Sequence, residues 1–266
     1  MSQTLPSYLQ SVEILQNEQV AKNLWRMVFK APKLAQELLP GQFFTIAVAD
    51  EPRQLAKIPL SYATADKENG TVETLYAVVG PGTEALARME RGESTEVVGP
   101  CGHGWKVEAC KKRTLLVTGG CGVPSVLSAA HALAEEHIPF DCILAARTAE
   151  HLYGQEVLNT TGCGDLVLAT DDGSAGEQGN AAEITEHLLK RVGGDYYDAI
   201  LTCGPPMMME AMAHVAHEHD IPCQVSLERR MTCGFGACAT CAVRTVDGMK
   251  GACVAGPVFD AREVVW

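Results

Sequence analysis

Cys233, Cys238, Cys241 and Cys253 crowd into 21 residues of the stretch MTCGFGACATCAVRTVDGMKGAC. Their spacing, C-x4-C-x2-C-x11-C, is the plant-type [2Fe–2S] arrangement, with three thiolates from one tight loop and a fourth from beyond it. Four thiolates with two ferric ions and two sulfides carry net negative charge, which inward-turned backbone N–H groups can offset. Gly234, Gly236, Ala237, Ala239 and Thr240 are small enough to let such a loop wrap closely. A structural zinc site is the alternative, but zinc ribbons pair two short C-x2-C-like knuckles, and a triplet plus a single cysteine fits that less well. The remaining seven cysteines, Cys101, Cys110, Cys121, Cys142, Cys163, Cys203 and Cys223, are scattered. They read as small buried hydrophobes of a reducing compartment, where disulfides are not expected.

Glycine turns supply a second kind of chemistry. In LLVTGGCGVPS an apolar run ends in Gly119, Gly120 and Gly122, with Pro124 in the first turn of an expected helix. Such a turn aims N–H groups at a phosphate, although it lacks the full G-x-G-x-x-G pattern and also reads as a plain tight turn. LTCGPPMMMEAM places Cys203, Gly204 and Pro205 at a strand end, and ATDDGSAG places Asp171, Asp172, Gly173 and Ser174 at another. The two acids also suit a helix or turn cap. Three loops on one edge of an α/β sheet point to a dinucleotide site. Earlier in the chain, Lys57, Ser61, Tyr62, Gly82 and Thr83 are candidates for a flavin and its pyrophosphate, with ordinary surface roles as the competing account. His214, His217 and His219 read as the exposed end of a helix rather than a metal set.

These residues need particular elements to hold them. The first hundred residues carry short alternating segments, LWRMVFKAP, PGQFFTIAVAD and TVETLYAVVG, punctuated by Gly-Pro turns and one short helix, GTEALARME. That pattern predicts a small antiparallel β-barrel. From Lys111 onward, RTLLVTGG, FDCILAAR, DLVLATDD and DAILTCGPP alternate with helical PSVLSAAHALAEEH, AAEITEHLLKRV and MMMEAMAHVAHEH, which predicts a parallel α/β sheet. The fold class is therefore β plus α/β: a flavin-type antiparallel barrel over 1–110, a parallel α/β nucleotide-binding unit over 111–223, and a small [2Fe–2S] unit over 224–266.

With 266 residues, 47% hydrophobic and 20% charged, the chain can bury a real core. A net charge of −12 argues against nucleic acid as a partner. The opening MSQTLPSYLQ lacks the features of a signal peptide. The uncharged run from Thr114 to Ala134 is broken by Gly119, Gly120, Gly122 and Pro124, so it reads as strand, turn and helix rather than a membrane span. A soluble, cytoplasmic protein is expected.

Taken together, PGQFF, GPCGHGW, TGGCGVP, ATDDGS, CGPPMMMEAM and SLERRMTCGFGACATC…GPVF resemble, in order and over about Pro40 to Phe259, the electron-transfer subunit of NAD-linked (class 1B) dihydroorotate dehydrogenase. That family lies within the ferredoxin reductase-like FAD/NAD(P) superfamily. Ferredoxin–NADP reductases share the barrel and nucleotide layout but lack this cysteine tail. Small subunits of electron-bifurcating transhydrogenases are similar but typically replace one cluster cysteine by aspartate, whereas all four are present here.

The resemblance implies NAD(P)H on the loops Gly119–Gly122, Asp171–Ser174 and Cys203–Pro205. It implies FAD on the barrel, with Pro59, Leu60 and Ser61 along the isoalloxazine and Gly82 and Thr83 near the phosphates. A [2Fe–2S] cluster would exchange electrons with an FMN-containing catalytic subunit in a hetero-oligomer, expected as a heterotetramer, with flow in the family usually from dihydroorotate toward NAD+. One departure stands out: the family's Arg-Arg-Pro-(Ile/Leu)-Ser reads Lys57-Ile58-Pro59-Leu60-Ser61 here. Ile58 replaces the arginine expected at the pyrophosphate, leaving Lys57 or Arg53 as substitutes without a guanidinium fork in the same place. Other readings are an electron-transfer subunit for a different flavin-dependent reductase, a stand-alone NAD(P)H:acceptor reductase, and a zinc-stapled interaction module. Arg147 and Thr148, after CILAAR, are candidates for meeting a 2′-phosphate; an ordinary surface role is the alternative.

Overall fold

The computed structural model describes residues 7–48, 56–193 and 195–266. Six strands close a barrel: β1 (Tyr8–Ala21), β2 (Leu24–Lys30), β3 (Phe43–Ile46), β4 (Ile58–Asp66), β5 (Thr71–Ala77) and β6 (Ser94–Cys101). Their order is β1-β2-β5-β4-β3-β6, antiparallel at every step. Alternation along β1 buries Val12 and Ile14 and leaves Ser11 and Glu13 in solvent, as a half-buried strand should. Inside, Phe29 meets Phe44 edge-on with centroids 5.1 Å apart. Helix α1 (Pro32–Glu37) buries Leu34 and Ala35 against the barrel interior. Helix α2 (Pro81–Ala87) buries Ala85 and Leu86.

The second unit is a sheet of β7 (Thr114–Gly119), β8 (Phe140–Ala146), β9 (Leu166–Thr170), β10 (Glu177–Gln178), β11 (Ala199–Cys203) and β12 (Cys223–Ser226), all parallel. Helices α3 (Val123–Glu135), α4 (Gln155–Thr161), α5 (Ala181–Val192) and α6 (Pro206–Glu218) connect its strands. Leu115, Leu116 and Val117 of β7 are wholly buried because helices cover both faces. Leu115 and Val117 join Ile184, Leu188 and Met212 of α5 and α6 in one layer, while Leu116 joins Val126, Leu127 and Ala130 of α3 in the other. Asn180 starts α5 by accepting the Ala182 and Glu183 N–H groups, and Glu183 returns the favour to the Asn180 N–H, a capping box.

The tail holds a hairpin, β13 (Ala242–Thr245) and β14 (Gly248–Gly251), a short helix α7 (Ala252–Ala255) and β15 (Val258–Asp260). The sheet order is β10-β9-β8-β7-β11-β12-β15, with β15 antiparallel to β12. The parallel sheet thus gains one antiparallel strand from the tail, because the chain turns back after the cysteine loop and covers the free edge of β12. Ser226 lies opposite Val258, so the cysteine segment is inserted between two neighbouring strands. The division expected after residue 223 falls within β12. No helix among the described residues is long and apolar enough to cross a membrane.

Candidate functional site

The sheet order reverses direction between β7 and β11, since the chain runs outward through β8, β9 and β10 and then returns to the other side of β7. A crevice at the carboxyl ends of such strands is where ligands of open α/β sheets bind. The turn Gly119–Gly122 follows β7, and Cys203–Pro205 follows β11, so these two loops flank the crevice. They touch: a Cβ on Gly122 would stand 2.1 Å from the Cys203 carbonyl oxygen, and one on Gly204 would stand 3.0 Å from the Gly119 oxygen. Gly120 adopts φ +56° with open space around it, the left-handed conformation that favours glycine. Asp171, Asp172 and Gly173 lie on the same edge, after β9 and two strands from β7. Asp172 accepts the Ser174 N–H and hydroxyl, which hold its carboxyl below the usual range, so this acid shapes its own turn. Arg147 is exposed at the end of β8, and the Thr148 hydroxyl lies 2.8 Å from His151 Nδ1.

Where the crevice meets the barrel there is a cleft of about 450 Å³, within the range of cofactor sites. Pro59, Leu60 and Ser61 of β4 and Thr83 of α2 form its barrel wall, with Cys121 from the turn after β7 and Pro124 from the first turn of α3. Glu228, Arg229, Arg230 and Met231, just beyond β12, form the third wall. Of the expected flavin residues, Lys57 is held by Glu96 at 3.0 Å and Gly82 is buried in α2, and neither lines the cleft. Tyr62 packs in the barrel core. Arg53 lies outside the described residues. The Thr83 hydroxyl accepts the Val79 and Gly80 N–H groups and donates to the Gly80 oxygen, so it fixes the start of α2.

The arginines and Glu228 were not singled out by type and spacing, although they sit in the SLERRM motif. Glu228 is open to solvent on the side that lines the cleft and packed against protein on the other. Burial pushes its carboxyl up, opposed by the Cys121 thiol, which donates to Oε2 at 3.5 Å. The Cys121 thiol is pushed up to about 12, first by burial and then by the Glu228 charge, and so stays protonated.

The four clustered cysteines fall into two pairs. Cys233 and Cys238 have their Sγ atoms 3.3 Å apart, and Cys241 and Cys253 have theirs 3.2 Å apart. No group of three or more metal-ligating side chains gathers around one point among the described residues. Two pairs fit two irons, each taking two thiolates, better than one tetrahedral zinc that would draw all four together. Positive φ at Gly234, Gly236 and Ala239 (+80°, +93° and +56°) bends the loop as an inward-facing N–H nest requires. A Cβ on Gly234 would stand 2.8 Å from Thr45 Cγ2 of β3, so the loop rests directly on the barrel. The His103 N–H donates to the Gly256 oxygen at 2.5 Å, and His103 bridges to Pro257. GPCGHGW and GPVF thereby clasp the far end of the same segment. Cys238 is brought down to about 6, chiefly by the Thr240 hydroxyl and backbone and then by Cys233, which favours the thiolate that binds metal. Cys253 is pushed up to about 12 by burial and by Cys241. His219, in contrast, pairs with Glu186 at 2.9 Å.

Residues 11–105 match the oxidoreductase FAD-binding domain family, and residues 228–265 match the iron–sulfur cluster binding domain of dihydroorotate dehydrogenase B. The dihydroorotate dehydrogenase B (NAD(+)) electron transfer subunit of Desulforamulus reducens is 32% identical over 255 residues, covering 93% of this chain and 94% of that protein. The chain belongs to this family. The same subunit from Bacillus cereus strain AH187 is 32% identical across 96% of this chain and 98% of its own length. Among solved structures, a chain of an NADH-dependent reduced ferredoxin-NADP oxidoreductase, studied for flavin-based electron bifurcation, superposes with TM-score 0.87 at 30% identity, covering all of this chain and 92% of its own. The ferredoxin reductase of carbazole 1,9a-dioxygenase, at 19% identity and TM-score 0.69 over 83% of this chain and 68% of its own, shares the fold. As a member of the electron transfer subunit family, the chain is an NAD(P)H-linked oxidoreductase component with FAD and an iron–sulfur cluster as its groups.

Proposed function

We propose that this chain carries electrons between NADH and an FMN-containing dihydroorotate-oxidising subunit, as the electron-transfer half of a cytoplasmic heterotetramer in pyrimidine synthesis. The observation that carries the reading is the shared cleft, in which the barrel, the glycine turn and the root of the cysteine segment meet. A flavin exchanges hydride with nicotinamide and single electrons with an iron–sulfur cluster. Pro59, Leu60 and Ser61 would lie along the flavin ring, with the buried Gly82–Thr83 start of α2 near its phosphates. Gly119, Gly120, Gly122, Cys203, Gly204 and Pro205 would hold the dinucleotide over the crevice, with Asp171–Gly173 at its far end. Cys233, Cys238, Cys241 and Cys253 would ligate the two irons. Residues 1–110, 111–223 and 224–266 would serve as the flavin, nucleotide and cluster units. Lys57 already pairs with Glu96, so Arg229 and Arg230 are the cationic side chains that the cleft presents in place of the motif arginine.

The likeness to the NADH-dependent ferredoxin-NADP oxidoreductase chain favours a second reading, in which the same relay feeds another flavin reductase. Anaerobic titration of the purified chain with NADH, followed in the visible spectrum, tests the common part. Bleaching of both the flavin and iron–sulfur bands is expected. A protein showing cluster bands that NADH leaves unchanged would overturn it. Adding an FMN-bearing dihydroorotate subunit then separates the two readings, since only the first predicts NADH formation from dihydroorotate and NAD+.

A further inference from the structure

The two thiol pairs sit in unlike surroundings. Cys241 and Cys253 are 2% and 5% exposed, and Cys241 Sγ accepts the Cys253 N–H at 3.4 Å. Cys238 stands in solvent and accepts the Thr240 hydroxyl at 3.1 Å. The Thr240 oxygen lies in turn 3.2 Å from the Thr232 hydroxyl. Each hydroxyl has one proton to donate, and a ligating thiolate has none. The direction of the chain is therefore fixed: Thr232 donates to Thr240, and Thr240 donates to Cys238. A donor whose own oxygen is accepting is polarised and bonds more strongly. Hydrogen bonds to cluster sulfurs help set the reduction potential, because they stabilise the added negative charge.

We propose that Thr240, backed by Thr232, is a positioning residue that raises the reduction potential of the cluster held by Cys233, Cys238, Cys241 and Cys253. The equilibrium it would bias is the exchange of one electron between the reduced flavin and the cluster these cysteines would hold, with no bond made or broken. The inference rests on the cluster assignment under the proposed function and extends it to a residue that spacing alone marks only as small.

The test is an EPR-monitored potentiometric titration of the holoprotein with dithionite and mediators, checked for iron and sulfide content. Thr240→Val should make reduction about tenfold less favourable, ~59 mV for a one-electron couple. Thr232→Val should shift the midpoint the same way by less, and Thr240→Ser should restore it. A wild-type midpoint in Thr240→Val overturns the inference while leaving the proposed function standing. If Thr240→Val fails to hold its cluster, Thr232→Val decides: a lowered midpoint supports the relay and an unchanged one overturns it. A wild-type protein without a cluster signal overturns the proposed function, and this inference with it.

Discussion

At Glu228 a carboxylate faces an open cleft with a thiol at 3.5 Å and protein crowding its other side. Its folded-state pKa is raised, so the folded form keeps the proton longer than the unfolded chain does. Its contribution to stability therefore falls as pH rises through the window that begins near the ordinary carboxylate value, about 4.3. Glu228→Gln removes this loss: urea midpoints of the FAD-free variant should decline less than wild type between acid and neutral pH. Parallel curves would show that the carboxyl is unperturbed. The cysteine spacing was legible in the sequence because ligands so close in the chain need only a tight loop to meet. Glu228, Arg229 and Arg230 were not, because three charges in a row read as a solvated face until β12 delivers them to the cleft. Asp172 gave the opposite case, since its local turn is visible in DDGS itself.

Among the elements, β7 was readable because both its faces are covered, which leaves a continuous apolar run ending in glycine. β1 was harder to see: its 14 residues include only a few inward positions, and polar side chains fill the rest. β15 is three residues long and has meaning only as a partner for β12, so nothing local marks it. It nevertheless buries Phe259, 4% exposed, whose ring lies where a Cβ on Gly256 would be. Phe259→Ala should cost about 3–5 kcal/mol, read as a fall in denaturant midpoint. Because β15 ends the cysteine segment, the variant's iron–sulfur absorbance should disappear at the same denaturant concentration as its helical signal. Separate transitions would show that the cysteine segment is held independently of the sheet edge.

For the molecule as a whole, the two-part layout was legible from the change of rhythm near Lys111, but the cleft was not, because its walls come from residues some 170 positions apart in the chain. A ligand gripped by all three walls should stabilise them together. With free FAD at about 100 times its dissociation constant, linkage predicts about 2.7 kcal/mol of added stability. Barrel tryptophan fluorescence and sheet circular dichroism should then move to higher denaturant in step, whereas a shift in one signal alone would place the flavin on a single unit.

The neighbouring positions of Ser226 and Val258 mean that the segment between them is moored at both ends. A redox module tethered by one flexible linker can swing between donor and acceptor like a shuttle. This one is a fixed bridgehead: its distance from the cleft is set by the sheet, and Cys238 of its outer thiol pair stays turned to solvent. A redox partner must come to it.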